Sequence, residues 1–366
     1  MFYSTPEFDL LIGNHNLDYA CLHAIYDVGM KDDTGFTQGI AHLAEHIIEM
    51  QFMSDGSFCV EANAFLNKEY TCFYSKCLVE NSHKSLKIQN ELIEKSICLI
   101  SDAIVQNEKK RILDENRIAL KNTRLSNVLK IESLAFDNVL KTPTYITPEL
   151  FLQISTQDLI QFIVEKYSKK PCIVYSGGIS DMKFLGLSPI ENNCLKTDKH
   201  ILGKCITYNN LFCLYFDELK CSNEYFNLKI LMEYYCHVWN CTHKNIMLSN
   251  TIKLFDSKTL LLFEFRDFVE YEFFAFLCSN DFNFERHYKF VYEKVLLEYL
   301  CKFQNLSSLN LFIYKTYRYF KEDDFNYGSI KKIISSICHN SIEAIHNSLI
   351  RKILENSQGE INEIFK

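Results

Sequence analysis

The order of elements between Asp18 and Val79 constrains the fold most. Asp18–Val28 (DYACLHAIYDV) is dense in aromatic and small apolar residues and reads as a strand. Gly29 and residues 31–35 form a polar loop, after which Thr37 stands as a cap candidate before GIAHLAEHIIEMQF, whose apolar spacing is helical. Tyr70–Val79 (YTCFYSKCLV) reads as a second strand, with Phe65–Glu69 as the turn before it. Strand, helix and strand in such close succession read as part of an α+β unit, with helices packed against a sheet.

The rest of the chain extends this pattern. Two helices are expected next: Leu86–Ile100, with Leu86, Leu92, Ile93, Ile97 and Ile100 on its apolar side, and Ala103 to about Leu125, capped at Ser101-Asp102. Thr142–Pro148 is a turn-rich break, Thr156–Tyr167 a helix with Thr156 as cap candidate, and Cys172–Ser176 a strand ending at Gly177-Gly178. Residues 186–198 show little periodicity and read as a linker. Beyond it, a strand at Leu211–Phe216, a helix at Tyr225–Trp239, strand-like segments over Asn245–Glu264 and a long helix at Phe284–Phe303 repeat the earlier rhythm. The expected organisation is therefore two similar domains, 1–185 and 199–366, each a mostly antiparallel sheet packed against helices.

Composition narrows the class. With 48% apolar residues, 29 Phe and 21 Tyr among 366, the chain has enough apolar surface for sizeable cores. Its net charge of −7 and the lack of a dominant basic block argue against a nucleic-acid partner. Fifteen cysteines, an odd number with no C-x-x-C pair, read as reduced thiols of a cytoplasmic protein. Met1–Asn14 lacks the basic start and apolar run of a signal peptide, and no apolar stretch approaches the ~20 residues of a membrane span.

The chemistry concentrates at His42-Leu43-Ala44-Glu45-His46. Residues three and four apart share a helix face, so His42, Glu45 and His46 point the same way. Two imidazoles one turn apart can share one Zn²⁺, and a carboxylate between them can take a proton from a metal-activated water. A His pair on an amphipathic helix is more often surface or satisfied core. Three polar groups among Ile40, Leu43, Ile47 and Ile48 would, however, be costly to bury unpartnered, and a metal removes that cost. Catalytic zinc needs a third protein ligand and an open position. Glu108 and Glu115, seven apart and on one face of the later helix, are candidates, though carboxylates in such a charged run are usually solvated. Glu49 competes by proximity but would crowd the open position.

These segments resemble the pitrilysin, insulin-degrading enzyme and mitochondrial processing peptidase family of zinc peptidases. The match runs through QGIAHLAEHIIEM (Gln38–Met50), NAFLNKEYTCFY (Asn63–Tyr74), EKKRILDEN (Glu108–Asn116) and the stretch Thr144–Ile179, covering most of residues 20–180. The resemblance implies one Zn²⁺ per chain held by His42, His46 and Glu115, with Glu45 as catalytic base and Glu108 as supporting carboxylate. It also implies an edge strand on which Asn63, Ala64 and Phe65 lie beside an extended peptide. Two domains of this kind form half of a clamshell chamber.

The sequence departs from the family in places. Leu66 stands where Thr is usual, and only 69 residues separate His46 from Glu115. The Arg and Tyr that catalytically complete members carry seven residues apart in their second substrate-facing domain are missing from His243–Phe255, and Arg318-Tyr319 falls late in the chain. In two-subunit members that pair belongs to a companion that has lost the zinc motif. The expectation is thus a metalloendopeptidase for short or unfolded peptides. It would be the catalytic subunit of a heterodimer with a motif-less homologue, in preference to a homodimer, and peptide maturation is one setting for such enzymes. The alternative is a non-catalytic scaffold or binding subunit of the same fold. Elsewhere, Cys236-His237, Cys241-x-His243 and the aromatic run Phe263–Phe276 read as packing, and Lys109-Lys110-Arg111 as a solvated helix face.

Overall fold

The structure is a computed structural model that describes residues 2–4, 8–14, 17–55, 59–136, 146–177, 204–217, 219, 221–255, 258–267, 270–279, 282–320 and 327–357. The expected linker at 186–198, part of the break at 142–148 and Gly178 lie outside the described residues. The chain forms two compact units, one from Met1–Glu191 with Asn305–Tyr314 and the other from Asn192–Gln304 with Lys315–Lys366. Among the described residues, no helix is long and apolar enough to cross a membrane.

The first unit is built on a six-stranded sheet of β1 (Phe2–Ser4), β2 (Asp9–Asn14), β3 (Tyr19–Tyr26), β4 (Glu61–Leu66), β5 (Thr71–Leu78) and β6 (Cys172–Gly177). Its order is β1-β2-β6-β3-β5-β4, antiparallel throughout except for β2 beside β6. Ala20, Leu22, Ala24 and Tyr26 of β3 face a core shared with Leu43, Ile47, Phe73, Leu92 and Ile112. The opposite face of β3 is buried too, with Cys21 and His23 fully enclosed. A strand covered on both sides reads as a near-continuous apolar run rather than an alternation, which is the character of YACLHAIY.

Helices α1 (Ile40–Asp55), α2 (Ser82–Leu99), α3 (Asp102–Leu120), α4 (Thr123–Ala135), α5 (Pro148–Gln153) and α6 (Thr156–Lys166) complete this part of the unit. Local capping differs from the sequence reading in three places. Thr37 does not cap α1: its hydroxyl pairs with Thr34 at 2.7 Å. Asp33 takes that role, accepting from the amides of Gly39 at 2.8 Å and Ala41 at 3.0 Å. At α6 the cap is Ser155, in a reciprocal box with Asp158, and not Thr156. The helix expected to run to about Leu125 stops at Leu120, because Asn122 accepts from the Leu125 amide at 3.1 Å and starts α4. The turn before β5 also moves: β4 continues through Leu66, and Asn67 organises the turn by accepting from the amides of Glu69 and Tyr70, each at 2.8 Å.

The outer face of β3 is covered by a helix from far along the chain, α10 (Leu306–Lys315). The buried Asn310 amide donates to the carbonyls of Cys21 (2.9 Å) and Val174 (3.1 Å) and approaches His23 Nδ1 at 2.9 Å. Ser307 lies 3.2 Å from His23 Nε2. Every polar atom of an otherwise costly buried histidine is thereby matched.

The second unit carries a four-stranded antiparallel sheet of β7 (Lys204–Tyr208), β8 (Leu211–Asp217), β9 (Met247–Leu254) and β10 (Lys258–Phe265), in the order β7-β8-β10-β9. Its helices are α7 (Ser222–Thr242), α8 (Glu270–Leu277), α9 (Phe284–Gln304), α11 (Tyr327–Ser336) and α12 (His339–Ser357). The path β8–α7–β9–β10 repeats β3–α1–β4–β5: in each, a strand leads into a helix, and the second strand of the following hairpin pairs with the first strand. The fold is therefore α+β with two similar sheet-and-helix units. The aromatic run is core: Phe263, Phe265 and Phe273 are fully buried, with Phe273 in edge contact with Trp239.

Candidate metal centre

Helix α1 follows a capped loop, and the position before it requires glycine. Gly39 has φ +89°, and a Cβ there would lie 2.9 Å from a Phe151 ring carbon and 3.1 Å from Ile146. Its first turn therefore has a fixed entry angle. Ile40, Leu43, Ala44 and Ile47 anchor α1 in the core, which leaves His42, Glu45 and His46 on the remaining face.

Helix α3 supplies the other carboxylates. His46 Nδ1 lies 2.9 Å from a Glu108 carboxylate oxygen, so this nitrogen carries the proton and donates it. His46 Nε2 lies 3.4 Å from a Glu115 carboxylate oxygen. His42 Nε2 is 3.8 Å from the same oxygen. Two imidazole nitrogens and a carboxylate oxygen, all able to ligate, thus converge on one point. Ligands about 2.0–2.1 Å from a tetrahedral centre sit about 3.4 Å apart; the His46–Glu115 separation has that value, and the 3.8 Å between His42 and Glu115 needs a small closure of side chains to seat zinc. Among the described residues, His42, His46 and Glu115 are the one group of three ligating side chains whose donor atoms all lie within 4.8 Å of one another. The donor types, two imidazoles and one carboxylate, are those of a catalytic zinc site with one position open.

Glu45 stands at this centre without joining the ligand set, its carboxylate 3.8 Å from His42 Nε2 and 3.9 Å from His46 Nε2. It is buried, and burial, followed by the charges of Glu49 and Glu115, pushes its acid up to about 8 against the pull of Arg111. Burial, then His46 and Arg111, hold His42 down to about 4, so it is neutral at physiological pH.

Two residues that the sequence reading leaves on a solvated face belong to this architecture. Lys109 is fully buried, and its ammonium donates to the carbonyls of Leu152, at 3.0 Å, and Ile154 at the end of α5. Arg111 lies 3.3 Å from Glu108 and 3.4 Å from Glu115, bracing both carboxylates from one side. The i+3 and i+4 spacings of Arg111 to the two glutamates were the available signal. Nothing in a charged run marks Lys109 as buried.

Asn63, Ala64 and Phe65 lie on β4, the edge of the first sheet. Asn63 Oδ1 accepts from the Ala64 amide at 2.7 Å, and the Phe65 ring lies 6.2 Å from that of Tyr70. In the second unit, the helix matching α1 carries charge pairs instead. Buried Lys229 lies 2.9 Å from Glu233 and 3.3 Å from Glu298, and Lys294 lies 2.5 Å from Glu233. Arg318 and Tyr319 fall in a π-helical turn, Thr316–Phe320, with the guanidinium 5.9 Å from the Tyr319 ring centre.

No family model and no curated protein matches this sequence. Solved structures do. A chain of complex III2 from Candida albicans is similar at 12% identity, covering 95% of this chain and 92% of that one with a TM-score of 0.73. An M16-like peptidase from Alicyclobacillus acidocaldarius matches at 12% identity over 94% of each chain, TM-score 0.68. The periplasmic protease PqqL from Escherichia coli matches at 14% identity and TM-score 0.66 over 95% of this chain but 46% of its own, so this chain spans about half of PqqL. The resemblance read from the sequence thus holds in three dimensions: the fold is that of M16-like peptidases.

Proposed function

We propose that the chain is a zinc-dependent endopeptidase acting on short or unfolded peptides. The observation that carries this reading is the convergence of His42 Nε2, His46 Nε2 and the Glu115 carboxylate beside a buried Glu45. His42, His46 and Glu115 would hold the zinc ion, and such an ion would supply a water of lowered pKa and polarisation of the scissile carbonyl. Glu108, by accepting from His46 Nδ1, fixes the tautomer and ring orientation that present Nε2. Glu45 takes the proton of the attacking water and delivers it to the leaving amine, a role its burial suits by raising its proton affinity. The peptide binds extended, pairing with β4 beside Asn63, Ala64 and Phe65. Backbone pairing gives affinity with loose sequence preference.

The active assembly has two chains, this one and a homologous chain without the metal motif. Its likeness to half of PqqL and to a chain of a larger complex supports pairing. So does the missing Arg and Tyr of His243–Phe255. We place the enzyme in the cytoplasm, a reading supported by fifteen cysteines without a C-x-x-C pair. A scaffold subunit of the same fold is the second reading, favoured by the complex III2 likeness.

The test purifies the chain with and without its motif-less homologue and measures cleavage of unstructured peptides with and without chelator. Chelator-sensitive cleavage that rises with the partner is expected. Equal activity in both preparations overturns the two-chain assembly. Metal binding without cleavage in either preparation overturns the peptidase and leaves the scaffold.

A further inference from the structure

Arg111 stands between the two carboxylates that α3 contributes, and it meets them at different atoms. Its Nη1 lies 3.3 Å from Glu108 Oε2, the oxygen that accepts from His46 Nδ1 at 2.9 Å. Its Nε lies 3.4 Å from Glu115 Oε1. The imidazoles face the other oxygen of that carboxylate: Glu115 Oε2 is 3.4 Å from His46 Nε2 and 3.8 Å from His42 Nε2. The two oxygens of Glu115 are therefore divided, one toward the candidate ligand atoms and one toward a cation. We infer that Arg111 is a positioning residue that restrains Glu115 to offer a single oxygen to the metal, and so keeps the fourth position of the centre open for water. That role rests on the zinc centre proposed above, and not on the catalytic step.

Several features give the restraint a purpose. An ionised carboxylate carries two oxygens able to ligate. A second oxygen drawn to the ion would take the position that a catalytic zinc site reserves for water. The Glu115 side chain is 44% exposed, so packing alone does not fix which oxygen turns inward. Glu108 is different: its side chain is largely buried and held by His46, which makes it a firm anchor for the guanidinium. A guanidinium presents its donors in a rigid planar fork, so the contact with Glu108 sets the direction in which Nε addresses Glu115. The spacing supports this, because Arg111 follows Glu108 by three residues and precedes Glu115 by four, on one helix face. Arg111 is itself half exposed, and ion pairs as open as this add little to the stability of a fold. What the guanidinium adds is the orientation of a ligand, the part that the hydrogen-bonding partners of metal-bound carboxylates play.

Cobalt(II) titration of the full chain tests this without an activity assay, because four-coordinate cobalt absorbs visible light more strongly than five-coordinate cobalt. Wild type is expected to bind one equivalent with the strong spectrum of a four-coordinate ion. Arg111→Met keeps an unbranched side chain and loses the cation. It should still bind one equivalent, with visible absorption lower by roughly twofold or more as Glu115 engages through both oxygens. Its metal-free melting temperature should stay at the wild-type value, which separates a role at the metal from a role in holding α3 together. A wild-type chain already at the weak spectrum, or an Arg111→Met chain at the strong one, overturns the inference alone. A wild-type chain that binds no cobalt overturns it together with the zinc centre. The spectral change in a chain that cleaves no peptide supports the positioning role and contradicts only the peptidase reading.

Discussion

Glu45 and Glu108 are carboxylates near the same imidazoles, yet their surroundings give them different roles. Glu108 touches the far nitrogen of His46, whereas Glu45 stands beside the ligand atoms. Glu45→Gln should therefore retain zinc and lower peptide hydrolysis by roughly 10²–10⁴-fold. Unchanged turnover in that variant would remove Glu45 as the base. Glu108→Gln should weaken zinc roughly 10–100-fold in a competitive chelator titration, because the imidazole loses its carboxylate acceptor. An unchanged affinity would mean that the 2.9 Å contact does not orient the ligand. Another prediction concerns acid. Burial, with a smaller contribution from Lys76, holds folded His23 down to about 3, and burial holds His346 down to about 4. An unfolded imidazole binds its proton near 6.5. The unfolded chain thus holds more protons between those limits, so stability is fully present above pH ~6.5 and is lost as pH falls toward 3. His23→Gln should flatten the fall of melting temperature between pH 6.5 and 4, and an unaltered slope would contradict the assignment. The motif residues were legible because a helix turns a fixed spacing into a shared face. Lys109 was not, because its burial depends on where α5 ends.

Among the elements, α1 and α3 form the site only if both are held in register. Gly39 sets the start of α1, and Lys109 ties α3 to the end of α5. Gly39→Ala should cost about 2 kcal/mol by forcing a side chain into a left-handed conformation against Phe151. Denaturant midpoints would show it, and a change under 0.5 kcal/mol, within the usual ~0.5 kcal/mol of neutral substitutions, would contradict the steric account. Periodicity carried the sequence reading furthest where elements are long: α1, α2, α7 and α9 lie close to where their apolar spacing put them. It gave least where elements are short. The strands β2 and β7 are brief apolar runs that no period distinguishes. The cap of α1 moved because Asp33 reaches amides six and eight positions away, which a linear pattern does not reveal, whereas at α6 the signal lay in the Ser155-x-x-Asp158 spacing.

On the scale of the whole molecule, the repeated path of strand, helix and hairpin was visible as a rhythm in the sequence. Its chemical asymmetry was only partly visible. One copy gathers two imidazoles and carboxylates, and the other balances Lys229 and Lys294 against Glu233 and Glu298. The return of Asn305–Tyr314 to the first unit was hidden, because the match of Asn310 to His23 spans 287 positions of chain. The central claim is that His42, His46 and Glu115 jointly hold one zinc ion. Anomalous diffraction at the zinc edge, from crystals of the chain purified with ample zinc, tests it most directly. A peak is expected within bonding distance of His42 Nε2, His46 Nε2 and a Glu115 oxygen, lost when both histidines are replaced by alanine. Ordered side chains with no peak between them would contradict it.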